Sequence, residues 1–459
     1  MSSVVSVVGG GLAGCECALS LASRGVPVRL YEQRPGGHAP AHHTSYLAEL
    51  VCSNSLKSTR EDSAAGMLKA ELDAMGSHLL PLARRCAVPA GGSLAVDRER
   101  FSKEVEEAVA SSEFIEVVRE EVTQIPDGRS VICAGPLCSP LLAEAIAKAV
   151  GNDYLAFFDA AAPVVDAESI DRTIVFAQSR YEEQGIGDYL NCPLSREEYE
   201  AFWEELVSAK RVLVRDFEQR DLFNACQPIE EVARKGIDTL RFGALKPVGL
   251  VDPRTGTRPW AVVQLRAENA ACTAYNLVGF QTNLTWGEQA RVFSMIPGLE
   301  SSDFVRYGIM HRNTFVDSPR VLDETFAVPG TQTRLAGQIT GTEGYVEAIA
   351  SGLLAALNTY ADLRGLEPVH LPETSAFGAL VAYATNPATH PYQPMHVNFG
   401  LVPPLGRGRM RKRERYRAYA ERGREDLARY LAQRGDLFGA FRDSTDDSAK
   451  TAGSKAHDE

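Results

Sequence analysis

Residues 4–32 read VVSVVGGGLAGCECALSLASRGVPVRLYE, and this stretch decides the fold. Residues 4–8 are a short β-branched run of the kind that fills a buried strand. Residues 12–24 carry a helical pattern, and residues 27–32 form a second strand-like run. Strand, helix and strand in that order predict a βαβ unit, and with it a parallel sheet and a right-handed crossover. Gly9, Gly11 and Gly14 form a GxGxxG turn between the first strand and the helix. Gly9 permits the tight turn, Gly11 lets a pyrophosphate approach the backbone, and Gly14 lets the helix lie close to the sheet. Gly10, Leu12 and Ala13 complete the turn. The helix N-terminus offers phosphates unpaired N–H groups and a partial positive charge. Glu32 ends the second strand, where a carboxylate can bind ribose hydroxyls. A glycine-rich turn without a ligand is the bland alternative, but strand, helix, second strand and acid all fall in register for a dinucleotide.

Beyond this unit, residues 35–63 are rich in His, Pro, Ser and Thr and read as a long irregular excursion, often a functional feature. Helical patterns return at 64–75 and 98–110, and residues 130–135 (SVICAG) read as a further core strand. From about 161 to 324 the character changes. Strand-like runs at 173–177, 260–266 and 273–281 alternate with turn signals such as Asp252–Gly256. In the same region Thr285 and Glu288 form a potential capping box ahead of a helix. Residues 334–337 read as a last core strand, and Val346, Ile349, Ala350, Leu353, Leu354 and Leu357 make one apolar helical face behind it. The expected division is a dinucleotide-binding domain over 1–160, an inserted domain over 161–324, the completion of the first domain over 325–440, and a disordered tail over 441–459. The fold class is therefore α/β, a glutathione-reductase-like (Rossmann-type) domain interrupted by an α+β insertion.

FAD and NAD share the fingerprint, and two later features favour FAD. Cys133-Ala134-Gly135 closes a strand as the second cofactor motif of two-domain flavoproteins does. RLAGQITGTEGYVEA (334–348) places Gly337 and Gly344 in a strand-to-helix turn suited to the flavin end.

The nine cysteines are scattered without a CxxC pair, which argues against a disulfide framework or a structural metal site and fits a reducing compartment. No apolar run approaches the roughly 20 residues of a membrane span. The N-terminus carries no basic region or cleavage signal, so a cytoplasmic protein without a signal peptide is expected. The net charge of −12 does not advertise a polyanion partner, yet residues 407–434 (RGRMRKRERYRAYAERGREDLARYLAQR) are dense in arginine with Tyr416, Tyr419 and Tyr430 interleaved. That segment reads either as an RNA-phosphate contact or as a solvated, salt-bridged helix face. Two cysteines have unusual surroundings. Cys226 precedes a helix predicted to open at Pro228 and end at Gly236, a position that lowers a thiol pKa, although Glu230 and Glu231 oppose the effect. Cys52 lies in the polar excursion with Lys57 and Arg60 nearby in sequence. Local chemistry leaves each open between a reactive thiol and a packing residue.

Taken together, GGGLAG (9–14), AHHTSYLAELVCSNSLKS (41–58), VPAGGSLAVDRERF (88–101), GIDTLRFGALKPVGL (236–250), QTNLTWGEQARVFSMIPGL (281–299), YGIMHRNTF (307–315) and GQITGTEGYVEAIASG (337–352) resemble the TrmFO family of folate- and FAD-dependent tRNA uracil-5-methyltransferases. The likeness runs from about residue 4 to about residue 435. It implies transfer of a one-carbon unit from methylenetetrahydrofolate to C5 of the T-loop uridine of tRNA, giving ribothymidine. Reduced flavin carries the carbon and supplies electrons, and NADH or NADPH restores it. The resemblance assigns Cys226 as the nucleophile at C6, Cys52 as the base at C5, and Tyr345 to the flavin end. Asn283, Arg312 and Asn313 are candidates for the folate pocket. No membrane and no stable protein partner are implied. The rival readings are the same chemistry on ribosomal RNA, and an FAD oxidoreductase of small molecules without RNA. The chain departs from the expected pattern at Gly10, Cys15 and Cys17, where Ala or Ser would be the milder choices.

Overall fold

The computed structural model describes residues 4–37, 42–151, 154–160, 162–181, 187–212, 227–269, 271–308, 310–390, 392–406 and 410–438; of residues 154–160 and 310–313 it describes the backbone alone. Cys226 lies outside the described residues, as does the tail from residue 439.

Val5–Val8, Leu12–Ala22 and Val28–Tyr31 form the expected strand, helix and strand. Their two strands pair in parallel, Val5 opposite Val28. The sheet has five parallel strands in the order Thr333–Leu335, Ser130–Ile132, Val5–Val8, Val28–Tyr31, Ile115–Val118. The outermost strand comes from far along the chain, so the N-terminal and C-terminal parts build one layer. The helix Tyr345–Arg364 packs across the first helix. A Cβ on its Gly352 would lie 2.2 Å from the Ala13 carbonyl oxygen, so glycine sets how closely the two helices approach.

Between Ile132 and Thr333 the chain builds a second unit with its own apolar core. It leaves through Tyr154–Ala160 and returns through Met310–Val316, which pair antiparallel. The strands within are antiparallel, in the order Phe176–Ala177, Tyr189–Leu194, Ala261–Ala267, Ala274–Leu277, Val164–Asp166, Phe304–Arg306.

Helix boundaries follow local chemistry. Ser63 accepts from Gly66 N–H ahead of Ala64–Met75, and Asp97 accepts from Arg100 N–H ahead of Arg98–Ala110. The expected capping box at Thr285 is not made. Thr285 stands at the N-cap of Trp286–Phe293 without a side-chain bond, and Glu288 is drawn into an ion pair with Arg291 instead. The box forms at Ser195 and Glu198, opening Arg196–Ser208. The strand expected at 173–177 shortens to Phe176–Ala177, and Pro228 stands at the N-cap of the short helix Ile229–Ala233 rather than inside it. The polar excursion holds the strand Ser55–Ser58, paired with Ser93–Val96. No helix among the described residues is long and apolar enough to cross a membrane.

Candidate functional site

The glycine turn sits at the mouth of a cleft enclosing about 1010 Å³, part of it open to solvent. Gly9–Ala13, Glu32, Gly337 and Tyr345 all line it, so the structure gathers those residues at one place. Each glycine has its own reason. Gly9 takes φ +104°, and a Cβ there would meet the Cys133 carbonyl oxygen at 2.5 Å. A Cβ on Gly14 would lie 1.8 Å from the Gly9 oxygen, so this glycine is spent on helix-to-strand packing and does not line the cleft. Around Gly11 there is nothing within 4 Å, which leaves its face free for a ligand. The helix that begins there has no acid in its first turn to repel a phosphate. These features fit an anionic dinucleotide. Gly10, a departure from the expected pattern, has a steric cause, since a Cβ would strike the Leu47 side chain at 2.5 Å and the Glu32 carboxylate at 2.7 Å. Cys15 and Cys17 are fully buried and act as packing; burial pushes the Cys15 thiol far up, away from reactivity.

Glu32 is more committed than its position suggests. One carboxylate oxygen accepts from Gly10 N–H and Arg34 Nη2, each at 3.0 Å; the other accepts from Arg34 N–H at 3.0 Å and Arg34 Nε at 2.8 Å. Burial alone would raise this carboxyl, but the hydrogen bonds and charge of Arg34 hold it below the ordinary carboxylate range. Arg34 is itself only 2% exposed and also pairs with Glu49 at 3.1 Å. The carboxylate's four lone-pair positions are thus filled from within the protein, and a ribose hydroxyl reaches Glu32 by displacing one of these donors. Sequence reasoning missed Arg34, because nothing in a strand-end acid reveals which cation will clamp it.

At the other end of the cleft the Tyr345 hydroxyl accepts from the Cys52 N–H at 2.8 Å and the Ser53 N–H at 3.2 Å. A tyrosine at a helix start and a cysteine 293 residues away thereby become neighbours. Burial, then the nearby Cys52, pushes the Tyr345 hydroxyl well above its usual range, so it stays protonated. The cations near Cys52 in sequence do not serve it. Lys57 pairs with the fully buried Glu347 at 3.0 Å, and Arg60 forms a fork with Asp62. Arg98 takes their place: it donates to the Leu50 carbonyl at 2.6 Å and the Cys52 carbonyl at 3.4 Å, and pairs with Glu268 at 2.6 Å. Arg266 stands behind it, bonded through Nε to Asn54 at 2.9 Å. Gly344, at φ +121°, precedes Tyr345; a Cβ there would press on Glu347 at 2.2 Å.

Other candidates fall elsewhere. Asn283 is buried, donating from its backbone to Glu230 at 2.7 Å, and ties two loops of the second unit rather than lining the cleft. Glu230 is spent on that tie and on Thr282, so it is not a free charge at a helix entrance. Arg312 and Asn313 lie on the return strand, and their side chains are outside the described set. The basic segment forms the helix Lys412–Gln433. Its tyrosines are packing residues: Tyr416 and Tyr419 lie against Phe399 at ring separations of 4.6 and 5.4 Å, and the Tyr430 hydroxyl accepts from His370 N–H. Arg422 and Arg434 are used on backbone carbonyls. The exposed cations concentrate at Arg411, Lys412, Arg413, Arg415 and Arg417.

A parallel sheet whose first glycine turn and whose second, at Gly337, line one cleft defines a dinucleotide-binding protein of the glutathione-reductase class. The family model described as "Glucose inhibited division protein A" matches residues 4–367. A methylenetetrahydrofolate–tRNA-(uracil-5-)-methyltransferase TrmFO of Moorella thermoacetica is 53% identical over 427 residues, 93% of this chain and 98% of its own. The protein of the same name in Geobacter sulfurreducens is 53% identical over 434 residues, 94% of this chain and 100% of its own. The chain belongs to the TrmFO family. Among solved structures, GidA of Aquifex aeolicus shares the fold, with a TM-score of 0.65 at 17% identity over 94% of this chain and 76% of that one.

Proposed function

We propose that this protein methylates C5 of the T-loop uridine of tRNA, with methylenetetrahydrofolate as carbon donor and NADH or NADPH as the source of electrons. The observation that carries the reading is the hydrogen bond of the Cys52 backbone N–H to the hydroxyl of Tyr345, a residue that lines the dinucleotide cleft, which supports a role for Cys52 beside the bound cofactor. Membership in the TrmFO family supports the same reaction. FAD would be held by Gly9–Ala13, Glu32, Gly337 and Tyr345, with Gly14 setting the helix against the strand and Gly344 setting the turn into Tyr345, and when bound it supplies the electrons that reduce the transferred carbon to a methyl group.

The protein's own task is to make C5 of uracil nucleophilic. In this reading the Cys226 thiolate adds to C6, and the C5=C6 electron pair becomes available at C5 for the one-carbon unit. Cys52 then removes the proton at C5, and the C6–sulfur bond breaks. The Tyr345 hydroxyl fixes the backbone on either side of the Cys52 peptide and so holds the base in place. The exposed cations of residues 411–417 hold tRNA phosphates. The division into residues 1–160, 161–324 and 325–440, and a cytoplasmic location, belong to the same proposal.

The test is to incubate the purified flavoprotein with unmodified tRNA, isotopically labelled methylenetetrahydrofolate and NADH, and to locate the label by nuclease digestion and mass spectrometry. Label on C5 of the T-loop uridine, lost in Cys226→Ala, is expected. Absence of label on tRNA from a protein that holds FAD would sink the reading, and label on ribosomal RNA instead would redirect it.

A further inference from the structure

Among the described residues, the region around Cys52 holds more guanidinium groups than carboxylates that act on them. Three guanidinium groups, Arg98, Arg266 and Arg306, meet there, and Glu268 is the carboxylate among the groups acting on them. Arg98 is paired with Glu268, and Arg266 is bonded to Asn54. Arg306 differs: its Nε and Nη2 are shielded from solvent and have no hydrogen-bond partner among the described residues. Its titratable neighbours are Arg98, Glu268, Cys52 and Tyr345, the groups that line the reacting end of the site.

The backbone delivers Arg306 to this place deliberately. It ends the strand Phe304–Arg306, whose register against Val164–Asp166 slips, Phe304 opposing Val165 and Arg306 opposing Val164. Such bulges re-aim a side chain. Stacked rings hold the bulge on both sides, with Phe304 on Tyr307 at 5.5 Å and Tyr307 on Trp286 at 5.9 Å. A buried guanidinium with idle N–H groups on a braced strand costs stability unless an anionic oxygen arrives to meet it.

We propose that Arg306 is a catalytic residue of methyl transfer, whose idle N–H groups receive O4 of the target pyrimidine. The inference rests on the function proposed above. When the thiolate adds to C6, a sulfur–carbon bond forms, the C5=C6 pair shifts to C5–C4, and the C4=O4 pair moves onto O4. C4 is bonded to C5, so a base that reaches the C5 proton lies beside O4, and the arginines around Cys52 are the groups available to that oxygen. A preorganised cation there lowers the barrier to addition because the charge is met as it develops. The reverse path restores uracil: the enolate takes a proton from solvent at C5, a base then removes the hydrogen that C5 first carried, and as the pair on O4 returns to C4=O4 the C5=C6 bond re-forms and the thiolate leaves, so that the released base carries the solvent hydrogen.

That reversibility provides an assay without folate or reductant. The protein is mixed with unmodified tRNA in deuterium oxide, and exchange of the C5 hydrogen of the T-loop uridine is read by nuclease digestion and mass spectrometry. Arg306→Gln is expected to slow exchange by about 10²–10³-fold, the effect of removing one oxyanion donor, with FAD content and tRNA affinity unchanged and a thermal midpoint at or above that of wild type, since an unpaired buried charge is removed. Arg306→Lys keeps the charge but loses the fork and should fall between. Exchange unchanged at saturating tRNA, with tRNA binding weakened, would mean that Arg306 holds a phosphate and would overturn the proposal. Unchanged exchange with weakened methylenetetrahydrofolate binding would overturn it in favour of the folate's anionic tail. A wild-type protein that methylates tRNA without exchanging C5 would overturn the O4 assignment along with the addition step. A wild type that does neither defeats the proposed function itself, and shows this before any substitution is made.

Discussion

Gly11 and Gly14 are three residues apart in one motif, yet alanine at each should fail for different reasons. At Gly14 the new Cβ would lie 1.8 Å from the Gly9 oxygen. That oxygen cannot yield easily, because Gly9 is at φ +104° with its own face against the Cys133 backbone at 2.5 Å. Helix and strand would have to part by about 1 Å, in an interior where one methylene is felt. We expect Gly14→Ala to cost at least the upper end of the about 1–3 kcal/mol typical of overpacking, with or without FAD. At Gly11 the added methyl meets nothing within 4 Å, and the backbone, at φ −79° and ψ −169°, suits any residue. We expect the flavin-free Gly11→Ala protein to match wild type within about 0.5 kcal/mol, as for an unhindered surface change. Its loss should appear only with cofactor: FAD at 100 times its Kd stabilises a binding-competent protein by about 2.7 kcal/mol, and this increment should vanish. Denaturant unfolding of both variants, with and without FAD, decides the matter. A Gly11→Ala protein destabilised without FAD, or a Gly14→Ala protein as stable as wild type, would refute the division of labour between the two glycines.

Arg34→Met should destabilise by about 3–5 kcal/mol, since it strands the buried Glu32 carboxylate, and equilibrium unfolding at pH 7 measures this. Because the folded Glu32 carboxyl lies below its ordinary 4.5, its contribution is present above that pH and is lost as pH falls through the depressed value; a wild-type loss of this contribution already above pH 5 would contradict the pairing. Tyr345→Phe removes the acceptor for two N–H groups beside Cys52, so a loss of about 1–3 kcal/mol and a lower kcat at unchanged tRNA affinity are expected; an unaltered kcat would show that the hydroxyl does not position the base. Arg415→Glu with Arg417→Glu should weaken tRNA binding and flatten the plot of log affinity against log salt by about 1 for each contact removed, whereas an unchanged slope would mean that this face of the helix is only solvated.

What could be read in advance, and what could not, divides along a physical line. The first βαβ unit, the helices at 64–75 and 98–110 and the cofactor cradle were legible because their determinants are local: an apolar period, a Ser or Asp cap, a glycine at a tight turn. The capping box failed at Thr285 because Glu288 had a better partner in Arg291, three residues on, which no pattern discloses. Cys52 was singled out for its setting, but the cations credited to it were wrong. Lys57 and Arg60 are near in sequence and engaged elsewhere, while Arg98, Arg266 and Arg306 arrive from a helix and two strands far along the chain. Charge partners are a tertiary property, and a reader of sequence sees only those within a few residues.

The same contrast separates the two ends of the site. At the dinucleotide end the buried charges are answered from within: Glu32 by Arg34, and Arg34 again by Glu49. Such an end is organised before any ligand comes. At the reacting end three guanidinium groups gather around Cys52, and Arg306 keeps shielded N–H groups idle. Burying unmatched charge is costly, so this end is relieved when an anionic substrate enters, and most when negative charge grows on it. On the function proposed above, a site that holds its cofactor by satisfied pairs and keeps one idle cation, Arg306, near Cys52 places its differential affinity on the transition state, which is where binding accelerates a reaction.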